Sequence, residues 1–80
     1  MKETTALIKS WRAKLGKTQR DVSKYLNVTE NTYYKYEKDM FTCKTDILFK
    51  LIDYLNGNKD EFFNALEQDY LSRLETKKGE

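Results

Sequence analysis

Proline is absent from all 80 residues, and the three glycines stand far apart, at Gly16, Gly57 and Gly79. These two residue types are the strongest local punctuation a chain carries, and hairpins need them every few residues, so their scarcity favours helices over a sheet. No stretch alternates apolar and polar residues for six positions between turn signals, which removes the remaining support for strands. The expectation is an all-α protein with one domain over residues 1–80.

Apolar residues recur instead at three- and four-residue intervals. Leu7, Trp11 and Leu15, with Ile8 beside them, predict a first helix over roughly residues 4–15, stopped by Gly16. Thr18 is then placed as an N-cap with Asp21 three residues on, and Val22, Tyr25 and Leu26 are the expected buried face of a short second helix. Asn27 tolerates the left-handed backbone of a tight turn, and Thr29 offers the next N-cap. A third helix, about 29–38, is expected to bury Tyr33 and Tyr36 and to leave Glu30, Asn31, Tyr34 and Lys35 on another face. After a loop over 39–44, Leu48, Leu51, Ile52 and Leu55 predict a fourth helix closed by Asn56-Gly57. Asn58 then caps a fifth, about 58–76, with Glu61 at the third position and an apolar stripe of Phe63, Leu66, Tyr70 and Leu74. Residues 77–80 are expected to fray.

Composition narrows the chemistry. With 39% hydrophobic residues the chain has material for a packed core. A single cysteine, Cys43, and no histidine leave no intramolecular disulfide, no metal-ligand cluster and no Cys/His or Ser/His couple. No cofactor, no metal and no enzymatic activity are expected, and Cys43 is read as an inert thiol. The longest strongly apolar run is Ile47–Phe49, far below the roughly 20 residues that span a bilayer, and no apolar signal block opens the chain, so a cytoplasmic protein without membrane contact is expected. Charge is uneven: residues 1–40 hold nine Lys/Arg against five Asp/Glu, whereas residues 41–80 hold six against eight. A basic first half suits a polyanionic partner.

Two short helices joined by a tight turn, the second with a polar face at its start, are the layout of a DNA-reading helix-turn-helix. The stretch from Thr18 to Glu37 resembles the signature of phage-repressor-like (Cro/cI, XRE-type) helix-turn-helix proteins at Gln19, Val22-Ser23, Leu26, Val28-Thr29 and Glu37. The likeness extends over roughly residues 6–63. It departs from the family pattern at Asn27, where a Gly is usual, at Ser23 in place of Ala, and at Tyr33 and Tyr36 in place of aliphatics. The resemblance implies a five-helix, lambda-repressor-like domain with an extended C-terminal helix. It also implies an ion pair between Arg12 and Glu37 that links the first helix to the end of the third.

By the same resemblance Glu30, Asn31, Tyr34 and Lys35 would contact bases. The chemistry agrees: Asn bonds adenine bidentately, Lys bonds guanine, and Glu accepts from the cytosine amino group. The bland alternative is the solvated face of an amphipathic helix. Gln19 and the free N–H groups opening the second helix suit a phosphate, and Lys17, Thr18, Arg20, Thr29, Thr32, Lys38 and Lys44 are further phosphate candidates. The fifth-helix stripe either packs back on the first helix or forms a homodimer contact. Its polar face, Glu67, Asp69 and Glu75, is acidic and unsuited to a membrane surface. The partner expected is double-stranded operator DNA, bound by a homodimer acting as a repressor, and no small-molecule effector is evident. The rival reading is a helical adaptor, antirepressor-like or antitoxin-like, that keeps the scaffold without reading DNA.

Overall fold

The computed structural model describes residues 3–78 of the chain, with side-chain surroundings through Leu74. The elements are α1 (Glu3–Leu15), α2 (Gln19–Leu26), α3 (Glu30–Lys38), a 3₁₀ turn (Met40–Thr42), α4 (Thr45–Tyr54) and α5 (Lys59–Lys78). No strand occurs among the described residues. Residues 79–80 of the expected frayed end lie outside them, and the helix itself continues through Lys77 and Lys78.

The junctions are made by local chemistry. Gly16 ends α1 with φ +64, where a side chain would be strained. Thr18 and Asp21 then form a reciprocal capping box, the Thr18 hydroxyl accepting from Asp21 N–H at 3.1 Å and the Asp21 carboxylate accepting from Thr18 N–H at 3.0 Å. Asn27 turns the chain in the left-handed region with φ 59, and two residues later Thr29 caps α3 by accepting from Thr32 N–H at 3.1 Å. Asn58 caps α5 by accepting from Glu61 N–H at 2.8 Å.

Ile8, Val22, Tyr33, Met40, Leu51, Ile52 and Phe62 are fully enclosed and bring all five helices and the 3₁₀ turn to one core. The segment expected as plain loop thus contributes the buried Met40, and Cys43 follows it into the interior. Burial first, with Asp46 adding to it, pushes the Cys43 thiol up to about 11, so it stays protonated and unreactive at neutral pH.

Two side chains lie outside the face their spacing suggested: Leu15 and Tyr25 are exposed, whereas Leu7 and Tyr36 are half-buried and pack against the core. α1 turns Thr4, Ile8 and Trp11 inward, and α2 buries Ser23 where Tyr25 was expected. The reason is the close approach of α2 to α3: a serine fits there, its hydroxyl satisfied by the Arg20 carbonyl at 2.8 Å, whereas a phenol ring does not. Tyr25 instead lies outside and stacks on Tyr54 with ring centroids 4.1 Å apart.

At the α4–α5 corner the left-handed residue is Asn56, with φ 55. Gly57 is needed for space: a Cβ there would collide with the Trp11 ring. Trp11 in turn lies 6.3 Å from the Phe62 ring, so the indole is wedged between the corner and α5 in the core role its register indicated.

α5 is rotated by one position from the expected stripe. Phe62 and Asp69 are buried, while Phe63, Tyr70 and Leu74 are 38%, 49% and 42% exposed. Only Leu66 belongs to both stripes. The rotation is set by Asp69, read from the sequence as part of a solvated acidic face. Its carboxylate accepts from Glu3 N–H at 2.9 Å, from Thr4 N–H at 3.0 Å and from the Thr4 hydroxyl at 2.6 Å. α5 therefore supplies the N-terminal cap of α1 from across the molecule, where a negative charge also meets the positive end of the helix dipole.

Burial by itself would raise the Asp69 carboxyl, but the bonds from Thr4 and Glu3 outweigh it and hold its pKa below the usual range. A depressed folded-state pKa gives stability that is present above the unfolded value of about 3.9 and is lost as pH falls through the folded one. Replacing Asp69 by Asn, which turns an amide donor towards the Glu3 and Thr4 donors, is expected to cost about 1–3 kcal/mol at neutral pH. The loss should shrink on acidification below about pH 4. Urea titrations of both proteins at several pH values check this, and a pH-independent difference would contradict it.

Candidate nucleic-acid interface

The orientation of α3 is fixed at its C-terminal end by one buried carboxylate. Glu37 is 2% exposed. Its Oε2 lies 2.8 Å from Arg12 Nε, and its Oε1 accepts from Arg12 Nη2 at 3.2 Å and from Gln19 Nε2 at 3.1 Å. A buried charge is tolerated only when paired and hydrogen-bonded, and here α1 and α2 both supply donors to α3. Thr5 adds a bond from its hydroxyl to the Glu37 carbonyl at 2.6 Å. The Tyr33 hydroxyl is enclosed beside this group, and burial, followed by the Glu37 carboxylate, raises its pKa far above the ordinary phenol value. Tyr33 is thus a neutral core residue.

With Tyr33 and Glu37 inward, the helical repeat of about 100° per residue decides what faces out. Asn31, Lys35 and Lys38 fall on the opposite side and Tyr34 on the flank beside them, and all four are exposed. Lys38 Nζ lies 5.0 Å from the Tyr34 ring centroid, a cation–π contact that ties these two side chains together. Glu30 is exposed too, but the same repeat puts it on the flank towards α2. There its Oε1 accepts from Arg20 Nε at 3.0 Å. Two of the four base candidates, Asn31 and Lys35, therefore share the outward face, Tyr34 is exposed at its edge, and Glu30 is paired with a phosphate candidate.

The remaining phosphate candidates divide. Thr18 and Thr29 cap the two helices of the motif and are themselves exposed. The Thr29 hydroxyl also donates to that of Thr32 at 2.8 Å. Gln19 is half-buried and one of its amide hydrogens is committed to Glu37, a partner that the sequence reading missed. Lys17 is half-buried, with its ammonium 5.4 Å from the ring of Tyr54 on α4. Lys44 is exposed at the N-cap of α4 and makes no side-chain capping bond. Among the described residues no group of three or more His, Cys, Asp or Glu is placed to hold a metal ion, and no helix is long and apolar enough to cross a membrane.

A helix, a left-handed turn at Asn27 and a second helix with a polar outward face define a helix-turn-helix module on a five-helix scaffold. The helix-turn-helix family model matches residues 8–62, and the chain belongs to that family, in its phage-repressor (XRE) branch. It is similar to the HTH-type transcriptional regulator ImmR of Bacillus subtilis (strain 168), with 37% identity over 73 residues, 82% of this chain and 57% of that protein. The chain thus spans little more than half the length of that relative. No solved structure gives a significant match.

Because Glu37 neutralises an Arg12 side chain that is only 15% exposed, Glu37→Ala should destabilise the fold by about 3–5 kcal/mol. Urea unfolding followed by circular dichroism measures it, and a loss within about 0.5 kcal/mol would show that the carboxylate is not structural.

Proposed function

We propose that the chain is a sequence-specific DNA-binding transcriptional regulator that inserts α3 in the major groove, with Asn31, Tyr34 and Lys35 reading bases and Glu30 reading from the flank. The observation that carries this reading is the outward face of α3: exposed amide, phenol and ammonium groups on a helix whose other side is anchored by Tyr33 and Glu37. A major groove admits one α-helix, and these groups offer the donors and acceptors that distinguish base pairs. The exposed N-termini of α2 and α3, with Thr18, Gln19, Thr29 and Thr32, hold the flanking phosphates. Arg20, Lys38, Lys17 and Lys44 supply charge, the last two at the margin. The Bacillus relative is a transcriptional regulator by name, which supports the same class.

The finer reading is a repressor that works in the cytoplasm by occupying a two-fold operator as a homodimer, with no cofactor, no small-molecule effector and no catalytic activity. The exposed side of α5 supports the dimer. Phe63 meets Phe49 edge-on at 5.9 Å and Tyr70 meets Phe41 at 6.5 Å, leaving a run of partly exposed rings and Leu74 beside them. An isologous contact through this face would space two α3 helices for successive turns of the duplex.

Binding to a duplex selected from a random library tests the assignment. Asn31→Ala or Lys35→Ala should weaken the best site by about 1–3 kcal/mol and relax preference at one or two base pairs. Lys38→Ala should weaken all sequences alike and lower the salt slope by about one unit. Identical profiles for all three would overturn the division into readers and positioners, and failure to enrich any motif would favour the adaptor reading. Sedimentation should show a dimer that Phe63→Glu with Tyr70→Glu converts to monomer. A wild-type monomer at high concentration and on DNA would refute the two-fold arrangement.

A further inference from the structure

From the contact between α2 and the first residue of α3, we infer that Arg20 is the positioning residue for Glu30: it holds the carboxylate as a cytosine reader and bridges it to the DNA backbone. The inference rests on the DNA-reading function proposed above and adds a specificity determinant outside the recognition helix.

A carboxylate is an awkward group to bring to DNA. It only accepts hydrogen bonds, and it carries the same charge as the phosphates on either side of the groove. Base edges in the major groove offer acceptors at guanine N7 and O6 and at thymine O4, so an unassisted Glu is repelled by most of what it meets. The cytosine amino group is a donor with no neighbouring acceptor on its own base. Glu30 can therefore contribute selectively only if its charge is offset and its rotamer held.

Arg20 provides both. Its Nε donates to Glu30 Oε1 at 3.0 Å, across the turn that joins the two helices. The bond uses one donor of the guanidinium fork and one oxygen of the carboxylate, so the terminal Nη groups and Oε2 remain for other partners. Both side chains are solvent-facing, 70% and 55% exposed, so the pair contributes little to folding. Arg20 sits one residue after Gln19, the first residue of α2. The helix start that suits a phosphate therefore also carries the arginine that reaches the reader. On DNA the Nη groups donate to a phosphate while Nε keeps Glu30 aimed, and Oε2 accepts from cytosine N4.

Lysine and alanine at position 20 separate this role from a simple phosphate contact. Base preference is read at every position of a selected duplex for wild type, Arg20→Lys, Arg20→Ala and Glu30→Gln, with folding checked by circular dichroism. Glu30→Gln should lose cytosine preference at one base pair by about tenfold and gain adenine there, since an amide both donates and accepts. Arg20→Lys should keep the salt slope yet lose about tenfold at that same base pair, because an ammonium cannot hold the carboxylate and a phosphate through separate edges. Arg20→Ala should show the same loss at that base pair together with a salt slope lower by about one unit. Adding Glu30→Gln to Arg20→Ala should cost little further discrimination. If Arg20→Lys and Arg20→Ala leave the base profile unchanged while wild type reads DNA specifically, Arg20 is a phosphate contact alone and the inference is overturned with the DNA-reading function intact. If wild type enriches no motif, both fall together.

Discussion

One buried carboxylate, that of Glu37, organises the part of the molecule that faces outward. It collects donors from Arg12 on α1 and Gln19 on α2 while standing on α3, so three helices share a single electrostatic anchor. Removing a charge from water is costly, and only this full set of partners makes the burial tolerable. Because α3 has 9 residues, fixing its last turn fixes its whole rotation. A roll of one residue, about 100°, would carry Asn31 and Lys35 away from the outward face and drive Tyr34 towards the core.

A second carboxylate plays the corresponding part at the other end. Asp69 reaches from α5 to cap α1, and this one contact determines which side of α5 meets the core. It also explains why the fifth helix both packs on the domain and retains a partly exposed aromatic side. Phe62 and Asp69 are spent inward, so Phe63 and Tyr70, one position along the helix in each case, are left outside. Packing back on the domain, one of the two roles the stripe alone allowed, uses a different face of the same helix from the one that stays partly exposed.

What could be read from the sequence was local. The caps at Thr18, Thr29 and Asn58 and the left-handed turn at Asn27 depend on residues within three or four positions, and each is found where its spacing put it. The Arg12–Glu37 pair was legible through the family resemblance. What was not legible was rotation and pairing. Tyr25 and Ser23 both lie near the inward arc of α2, and only the proximity of α3 selects the smaller. Phe62 and Phe63 offer equally good stripes until Asp69 is known to cap a helix 65 or 66 positions away in sequence. The partners of Gln19, Arg20 and Lys17 belong to other helices, and no spacing rule within one helix reaches them. Glu30 was grouped correctly as exposed, but its engagement by Arg20 changes how it would act.

The outward set on α3 is most directly probed by amide chemical-shift mapping as the labelled chain is titrated with a selected half-site duplex. The largest perturbations are expected over Glu30–Lys35 and at the start of α2, with Phe63 and Tyr70 on α5 little affected. Shifts concentrated on the aromatic side of α5, with α3 silent, would contradict a groove-reading role for the helix-turn-helix.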